Sequence, residues 1–174
     1  MNDYFNWPKA PNPDCRTAAP GPLAKALHRL LLVWQFTSPG APMIFAGDEY
    51  GVWGANDPCC RQPVPWPDLP PPDPETRDYF GHPVGPHSRA PDLALCDFIR
   101  TLTRLRHTTP ALRRGDFQWL STPDPDLLAY TRTHGPSTVH VALNRSPTRS
   151  IPLPLPFPTD SLLPPLSHLL RTVP

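Results

Sequence analysis

The chain has 174 residues, of which 30 are proline and only 9 are glycine. Proline cannot sit inside helices, so the composition excludes a coiled coil and a compact helical bundle, and the absence of a three-residue glycine period excludes collagen. Sixteen basic residues balance 15 acidic ones. The sequence lacks the basic stripe that is typical of a nucleic-acid-binding protein. Its apolar runs are all much shorter than the ~20 residues of a membrane span.

The N-terminal part predicts coil, because residues 1–21 are polar and interrupted by proline. It lacks the apolar core of a secretory signal peptide. The cysteines include no Cys-x-x-Cys pair, which favours reduced thiols and a cytoplasmic location. These cysteines are Cys15, Cys59, Cys60 and Cys96.

An αβ unit follows. Pro22 suits the first position of a helix, which Ser38-Pro39-Gly40 should end. Its predicted apolar face consists of Leu23, Leu27, Leu30, Leu31 and Trp34. The continuous apolar run at 41–47 predicts a strand buried on both faces, as in parallel sheets, ending at Asp48-Glu49.

The segment 50–90 is rich in proline and has no periodicity, so we expect a long loop. A second helix should begin at Asp92 as its cap, run to about Arg106 and be stopped by Pro110. Its predicted apolar face consists of Leu95, Phe98, Ile99, Leu102 and Leu105.

The pattern changes near Gly115 to short runs typical of strands, at 117–120, 127–132 and 138–144. Val139, Val141 and Leu143 alternate with more polar residues and should point inward. Ile151 begins a run broken by prolines, which indicates an edge. We therefore predict coil at 1–21, an α/β part at 22–115 and an antiparallel β-domain at 116–174.

Several segments resemble the α-amylase family of glycoside hydrolases, and in particular its cyclomaltodextrinase, neopullulanase and maltogenic amylase group. SPGAPMIFAGDEYG at 38–51 is similar to the family's eighth barrel strand and the turn after it. The following loop, the last barrel helix and the first strands of the C-terminal domain also have counterparts. These are WGANDP at 53–58, RQP at 61–63, WPDL at 66–69, LRH at 105–107, PALRRG at 110–115, LAYTR at 128–132 and VALNRS at 141–146. Cys59-Cys60 departs from the family pattern and leaves the subgroup open.

The resemblance implies the C-terminal segment of a (β/α)₈ TIM barrel, followed by a small antiparallel β-sandwich domain. It also implies retaining hydrolysis of α-glucans, which uses two carboxyl groups about 5–5.5 Å apart. The family's nucleophile, acid/base and stabilising aspartate follow strands four, five and seven, the last within Asn-His-Asp. No His-Asp dipeptide occurs in the sequence. We therefore assign no catalytic residue and expect a fragment that is inactive alone. The alternative is a stand-alone carbohydrate-binding or protein-interaction module.

Four residues are candidates for a substrate-binding cleft rim: Asp48, Glu49, Trp53 and Arg61. In a barrel, the carboxyl end of a strand carries the site, and an indole face suits a glucose ring. On a strand, adjacent Asp48 and Glu49 would point to opposite faces, which does not suit a catalytic pair. Each residue also has a structural alternative. The carboxylates of Asp48 and Glu49 would accept hydrogen bonds from loop amides, Trp53 would pack the loop onto the barrel, and Arg61 would pair with Asp57.

We expect no metal and no cofactor, since Cys59, Cys60, His82 and His87 lack the tight spacing of zinc ligands. The proline runs at 70–72 and 152–158 favour stiff loops and sheet edges protected from further strand pairing. The alternative is that they are polyproline ligands for an adaptor domain. The resemblance implies an α-glucan or maltooligosaccharide ligand, through the parent enzyme. Self-association or a complementing N-terminal chain are the expected protein contacts.

Overall fold

The computed structural model of the chain describes residues 19–54, 62–77 and 83–151. The predictions for 1–18 and for the proline-broken run after Ile151 lie outside these ranges. The elements are α1 (Pro22–Thr37), a 3₁₀ helix (Asp48–Tyr50), β1 (Glu75–Arg77), β2 (Pro83–His87), α2 (Leu93–Thr108), α3 (Pro110–Arg114), β3 (Asp116–Leu120), β4 (Leu127–His134) and β5 (Ser137–Asn144). None of the described helices is long and apolar enough to cross a membrane.

The chain divides into two compact units. Among the described residues, the first unit contains 19–28, 44–54, 62–77 and 83–97, and the second contains 29–43 and 98–151. The border passes through both long helices. The boundary drawn at residue 115 from the sequence pattern stays a prediction.

Helix α1 has the predicted ends, but its buried face differs from the predicted one. Leu23 and Trp34 are 54% and 44% exposed, whereas Leu32, Val33 and Phe36 are buried. The run at 30–34 is apolar on every side, so periodicity alone could not select the side that packs.

The predicted strand at 41–47 is wrong as a regular element. Residues 41–45 have no strand assignment in the described structure, and Met43 and Phe45 are 73% and 49% exposed. A strand needs a neighbour to receive its backbone hydrogen bonds, and the described chain pairs none with this segment. Asp48 and Glu49 consequently lie on a 3₁₀ helix and not at the end of a strand.

Helix α2 begins as predicted, because Asp92 Oδ1 accepts a hydrogen bond from the backbone N–H of Leu95 at 3.0 Å. Four of its five predicted apolar residues, at positions 95, 98, 99 and 102, are buried. The helix runs two residues past Arg106. Pro110 then opens α3 instead of ending the helical region, since proline suits a first helical position.

The segment expected to be a structureless loop contains a short antiparallel pair. β1 and β2 pair through Glu75 with His87 and Arg77 with Pro83, with a register irregularity between them. Period-two alternation over such short, proline-containing strands was too weak to predict them.

The strands after residue 115 confirm the sequence prediction. They form one antiparallel sheet in the order β3-β4-β5, with Tyr130 opposite both Trp119 and Val141. Val141 and Leu143 are buried, and Val139 is half-buried on the same face. Helix α3 lies against β4 and β5, with Ala111 and Leu112 buried.

The opposite face of the sheet carries a small apolar cluster near one end, made of Leu127, Ala129, Ala142 and Ile151 with Leu120 beside it. Arg149 holds the chain that leads to Ile151, donating to Asp124 Oδ2 at 2.9 Å and to Asp126 Oδ2 at 2.7 Å. The backbone N–H of Asp126 and the Arg149 guanidinium lower the pKa of Asp124. Burial of Ile151 thus depends on an ion cluster at the β3–β4 turn.

Two arginines donate hydrogen bonds to the backbone carbonyls at the C-terminal end of α1. Arg132, only 2% exposed, donates to the carbonyl oxygens of Thr37 at 2.7 Å and Gly115 at 2.9 Å. Arg106 donates to the carbonyls of Phe36 at 2.6 Å and Ser38 at 3.0 Å, and also to that of Gly40. The last carbonyls of a helix lack intrahelical partners and carry partial negative charge, so both cations are placed favourably.

Replacing Val141 by Asp tests the register. The carboxylate would be buried without a partner, and we expect a loss of roughly 3–5 kcal/mol in the free energy of unfolding. Thr138→Asp on the same strand, where the side chain is exposed, should change it by less than about 0.5 kcal/mol. Urea unfolding of both variants measures this, and equal midpoints for Val141→Asp and the parent would refute the register.

Replacing Arg132 by Met tests the arginine pair. It leaves buried carbonyls of Thr37 and Gly115 without donors, which should destabilise the chain by about 2–4 kcal/mol. Arg132→Lys keeps the charge but loses the forked geometry, so it should fall between Met and the parent. Chemical unfolding followed by far-ultraviolet circular dichroism distinguishes these outcomes. A Met variant as stable as the parent would show that the carbonyls find other donors.

Candidate functional site

The turn that carries Asp48 and Glu49 is built from two glycines with positive φ. Gly47 has φ +100° and Gly51 has φ +69°, a conformation that side-chain-bearing residues rarely adopt. A Cβ at Gly47 would also lie 2.9 Å from Val52 Cγ2. The turn is closed by a hydrogen bond from the backbone N–H of Val52 to the carbonyl of Gly47 at 3.0 Å.

The Glu49 carboxylate is engaged within this turn. Its Oε2 accepts a hydrogen bond from the backbone N–H of Gly47 at 2.9 Å. Asp48 has an interaction partner as well, and both side chains are half-buried. This contact favours an ordering role for Glu49, which fixes the backbone just before Tyr50 and Trp53.

A small open groove with a cavity volume of about 30 Å³ lies beside this turn, within the first unit. One wall is formed by residues 50–53, with the side chains of Tyr50 and Trp53. The other residues come from segments 62–65 and 88–90. The lining residues are Tyr50, Gly51, Val52, Trp53, Gln62, Pro63, Pro65, Ser88, Arg89 and Ala90. The groove therefore combines aromatic and proline surface with a few hydrogen-bonding side chains.

Asp92 holds the two walls of the groove together. Its backbone N–H donates to the carbonyl of Tyr50 at 2.9 Å, and its side chain caps α2. Asp92 Oδ2 also lies 3.5 Å from Lys25 Nζ. A Cβ at Gly51 would lie 3.2 Å from Asp92 Cβ, so glycine allows this close approach.

The aromatic wall is supported from behind as well. Tyr50 is buried, and its ring meets that of Trp66 edge-on, with 6.2 Å between the centroids and 67° between the planes. Edge-to-face pairs of this kind contribute about 0.5–1.5 kcal/mol beyond the area that they bury. The groove wall is thus fixed by a hydrogen bond, two glycine turns and an aromatic contact.

The four predicted site residues have different outcomes. Trp53 lines the groove, and Asp48 and Glu49 lie in the 3₁₀ helix that leads to it, outside its lining. Arg61, and with it the alternative pairing to Asp57, lies outside the described residues. Their assignment as substrate-binding residues stays a prediction.

Sequence reasoning missed Gln62, Ser88 and Arg89. Gln62 stands inside the RQP motif and could have been found beside Arg61. Ser88 and Arg89 come from a proline-rich stretch without periodicity, where no sequence signal indicates which residues approach residue 53.

In the ranges that the structure describes, no three His, Cys, Asp or Glu side chains are grouped so that they could hold a metal ion. The zinc candidates Cys59, Cys60 and His82 lie outside those ranges. Cys96 is a buried free thiol, and it does not line the groove.

Known proteins resemble the chain over most of its length, although no protein-family model matches it. Cyclomaltodextrinase of Geobacillus thermopakistaniensis strain MAS1 is 35% identical over 129 residues, which are 73% of this chain and 18% of that enzyme. Neopullulanase 2 of Thermoactinomyces vulgaris is 32% identical over 121 residues, 69% of this chain and 17% of that enzyme. The chain thus spans less than a fifth of either curated relative.

Solved structures give the same result. Maltogenic amylase from S. marinus superposes with a TM-score of 0.55 and 28% identity, over 74% of this chain and 16% of that one. The cyclic α-maltosyl-(1→6)-maltose hydrolase of Arthrobacter globiformis gives a TM-score of 0.51 and 30% identity, over 70% of this chain and 22% of that one. The family resemblance is therefore confirmed: about 70% of the chain is similar to part of the α-amylase-family enzymes cyclomaltodextrinase, neopullulanase and maltogenic amylase.

Proposed function

We propose that the chain is a C-terminal part of an α-glucan hydrolase of the cyclomaltodextrinase kind, and that its groove binds maltooligosaccharide. Its residues alone bind the sugar and do not hydrolyse it. The relatives' names support the substrate class, since they include a cyclomaltodextrinase, a neopullulanase and a cyclic α-maltosyl-(1→6)-maltose hydrolase.

The observation that carries the binding role is the composition of the groove. Tyr50 and Trp53 supply aromatic surface, while Gln62, Ser88 and Arg89 supply polar groups. A glucosyl unit has an apolar face and a rim of hydroxyls, so it requires both kinds of surface at once. Sites for small molecules commonly combine apolar walls with a few polar groups that fix orientation.

We expect no hydrolysis because the described residues offer no suitably placed pair of carboxyl groups. Retaining hydrolysis needs two carboxyl groups about 5–5.5 Å apart on opposite sides of the scissile bond. None of the described residues that line the groove is acidic, and Glu49 is bonded to the backbone of Gly47. In the proposed parent enzyme, the two carboxylates would come from other barrel segments.

Segment 41–45 supports the proposal that another part of the parent enzyme supplies the neighbouring barrel strands. It bears the exposed apolar side chains Met43 and Phe45, and it has no strand partner in the described part of the chain. In the proposed parent enzyme, this segment would be the eighth strand of the barrel, paired with strands from the N-terminal part or from a complementing chain. The alternative of a stand-alone binding module is not favoured, since the relatives reported above are hydrolases.

Titration calorimetry with maltotriose tests the binding role. Trp53→Ala removes a stacking surface of roughly 50–80 Å², worth about 1–2 kcal/mol at 25 cal/mol/Å², and should weaken binding about tenfold. Trp34→Ala is the matched control, because that indole is exposed and does not line the groove, and it should leave the affinity unchanged. A parent chain that binds no maltooligosaccharide, or a Trp53→Ala variant that binds as well as the parent, would refute the role of the groove.

The catalytic half of the proposal has a separate assay. The purified chain should release no reducing sugar from starch, pullulan or cyclodextrin, because its groove offers no acid and nucleophile pair. Turnover above the blank that disappears in Glu49→Gln would contradict this and would require a mechanism built on that carboxylate.

A further inference from the structure

We propose that Arg89 is the residue that determines the specificity of the groove, by donating hydrogen bonds to adjacent hydroxyl oxygens of the glucosyl unit that stacks on Trp53. The inference rests on the proposed function, because it names what selects the sugar at the same site.

The first observation is that the Arg89 guanidinium has no partner in the part of the chain that the structure describes. The side chain is half-buried and lines the groove, but among the described residues it makes no hydrogen bond, ion pair or ring contact. Arg106 and Arg132 each make three hydrogen bonds to backbone carbonyls. A guanidinium has five N–H donors, and no described residue competes with a ligand for those of Arg89.

The second observation is that the backbone around Arg89 is fixed. The N–H of Ala90 donates to Ser88 Oγ at 3.3 Å, and the N–H of Asp92 donates to the carbonyl of Tyr50 at 2.9 Å. These bonds tie the segment that carries Arg89 to the wall that carries Tyr50 and Trp53. An arginine on a fixed backbone loses less conformational freedom on binding than one on a loose segment.

The third observation is the charge of the groove. Among the described lining residues, Arg89 is the one that carries a charge, and none of them has a carboxylate to neutralise it. Arginine donates hydrogen bonds and accepts none, and its planar fork fits two neighbouring oxygen atoms. Neighbouring hydroxyls of a glucosyl ring present two such acceptors. Hydrogen bonds to a charged donor are stronger than neutral ones, and a ligand that lacks the acceptors would leave the guanidinium without compensation.

The test compares maltotriose binding by the full chain and three variants in titration calorimetry. Arg89→Met keeps much of the side chain's apolar length but removes every donor, and it should weaken binding at least tenfold. Arg89→Lys keeps one charge without the fork and should weaken binding by an intermediate factor. Arg104→Met is the matched control, because Arg104 is exposed on α2 and does not line the groove. It should bind like the parent.

Loss of folding is controlled by the melting temperature. Since Arg89 has no partner among the described residues, Arg89→Met should melt with the parent, whereas a general loss of structure would lower its melting temperature. Binding that falls at an unchanged melting temperature supports the inference.

The remaining outcomes separate the two proposals. If Trp53→Ala weakens binding while Arg89→Met binds like the parent, the groove binds glucan and Arg89 does not select it. If the parent binds no maltotriose at all, the proposed function fails together with the inference. Inorganic phosphate is the anionic probe: phosphate that displaces maltotriose at millimolar concentration, and does so only when Arg89 is present, would identify an anion site and overturn selection of a neutral glucan.

Discussion

The second unit depends on hydrogen bonds that the backbone carbonyls at the C-terminal end of α1 accept from two distant arginines. The carbonyls of Phe36, Thr37, Ser38 and Gly40 all accept hydrogen bonds from Arg106 or Arg132. These arginines are 66 to 95 residues further along the chain. Because one lies on α2 and the other on β4, their hydrogen bonds connect both elements to the end of α1. Thr37 adds a hydrogen bond of 2.5 Å to the buried hydroxyl of Tyr130. Burial lowers the pKa of Arg132, and the nearby Arg106 charge lowers it further. Both cations are held by carbonyl dipoles in place of carboxylates, an arrangement that a helix end favours and that an apolar core could not supply.

The first unit uses backbone hydrogen bonds in a similar way, but around a groove. Gly47 and Gly51 supply the two turns, Glu49 holds the first, and Asp92 joins the second to the start of α2. Each of these groups acts on the backbone and none projects a free carboxylate into the groove. The result is a rigid wall whose exposed chemistry is aromatic surface and hydrogen-bond donors. A wall fixed in this way needs little further ordering when a ligand binds.

Much of this could be predicted from the sequence, and the failures have physical causes. Periodicity located α1, α2 and the strands after residue 115, since each has a polar side that contrasts with an apolar one. It failed for the face of α1, where Leu32 and Val33 are buried and Trp34 is exposed. The run there is apolar all round, so periodicity alone could not select the side that packs. It also failed for 41–47, whose composition describes a buried strand but whose partners are not among the described residues. The groove was half predictable: Trp53 belongs to a motif, whereas Arg89 reaches the site only through the fold of a proline-rich segment.

The separation of binding groups from carboxylates has a consequence for catalysis by the proposed parent enzyme. Interactions raise the rate of a chemical step only where they are stronger in the transition state than in the ground state. Trp53 and Arg89 line a groove in which no described lining residue is acidic. Under the proposed function they would hold sugar units away from the bond that breaks, and they would do so alike in the ground state and the transition state. Their energy would then bind and orient the glucan, while charge development at the reacting carbon would be left to carboxylates on other barrel strands. Under the proposed function, recognition of the sugar and its hydrolysis would therefore be tasks of different segments of the parent enzyme's sequence.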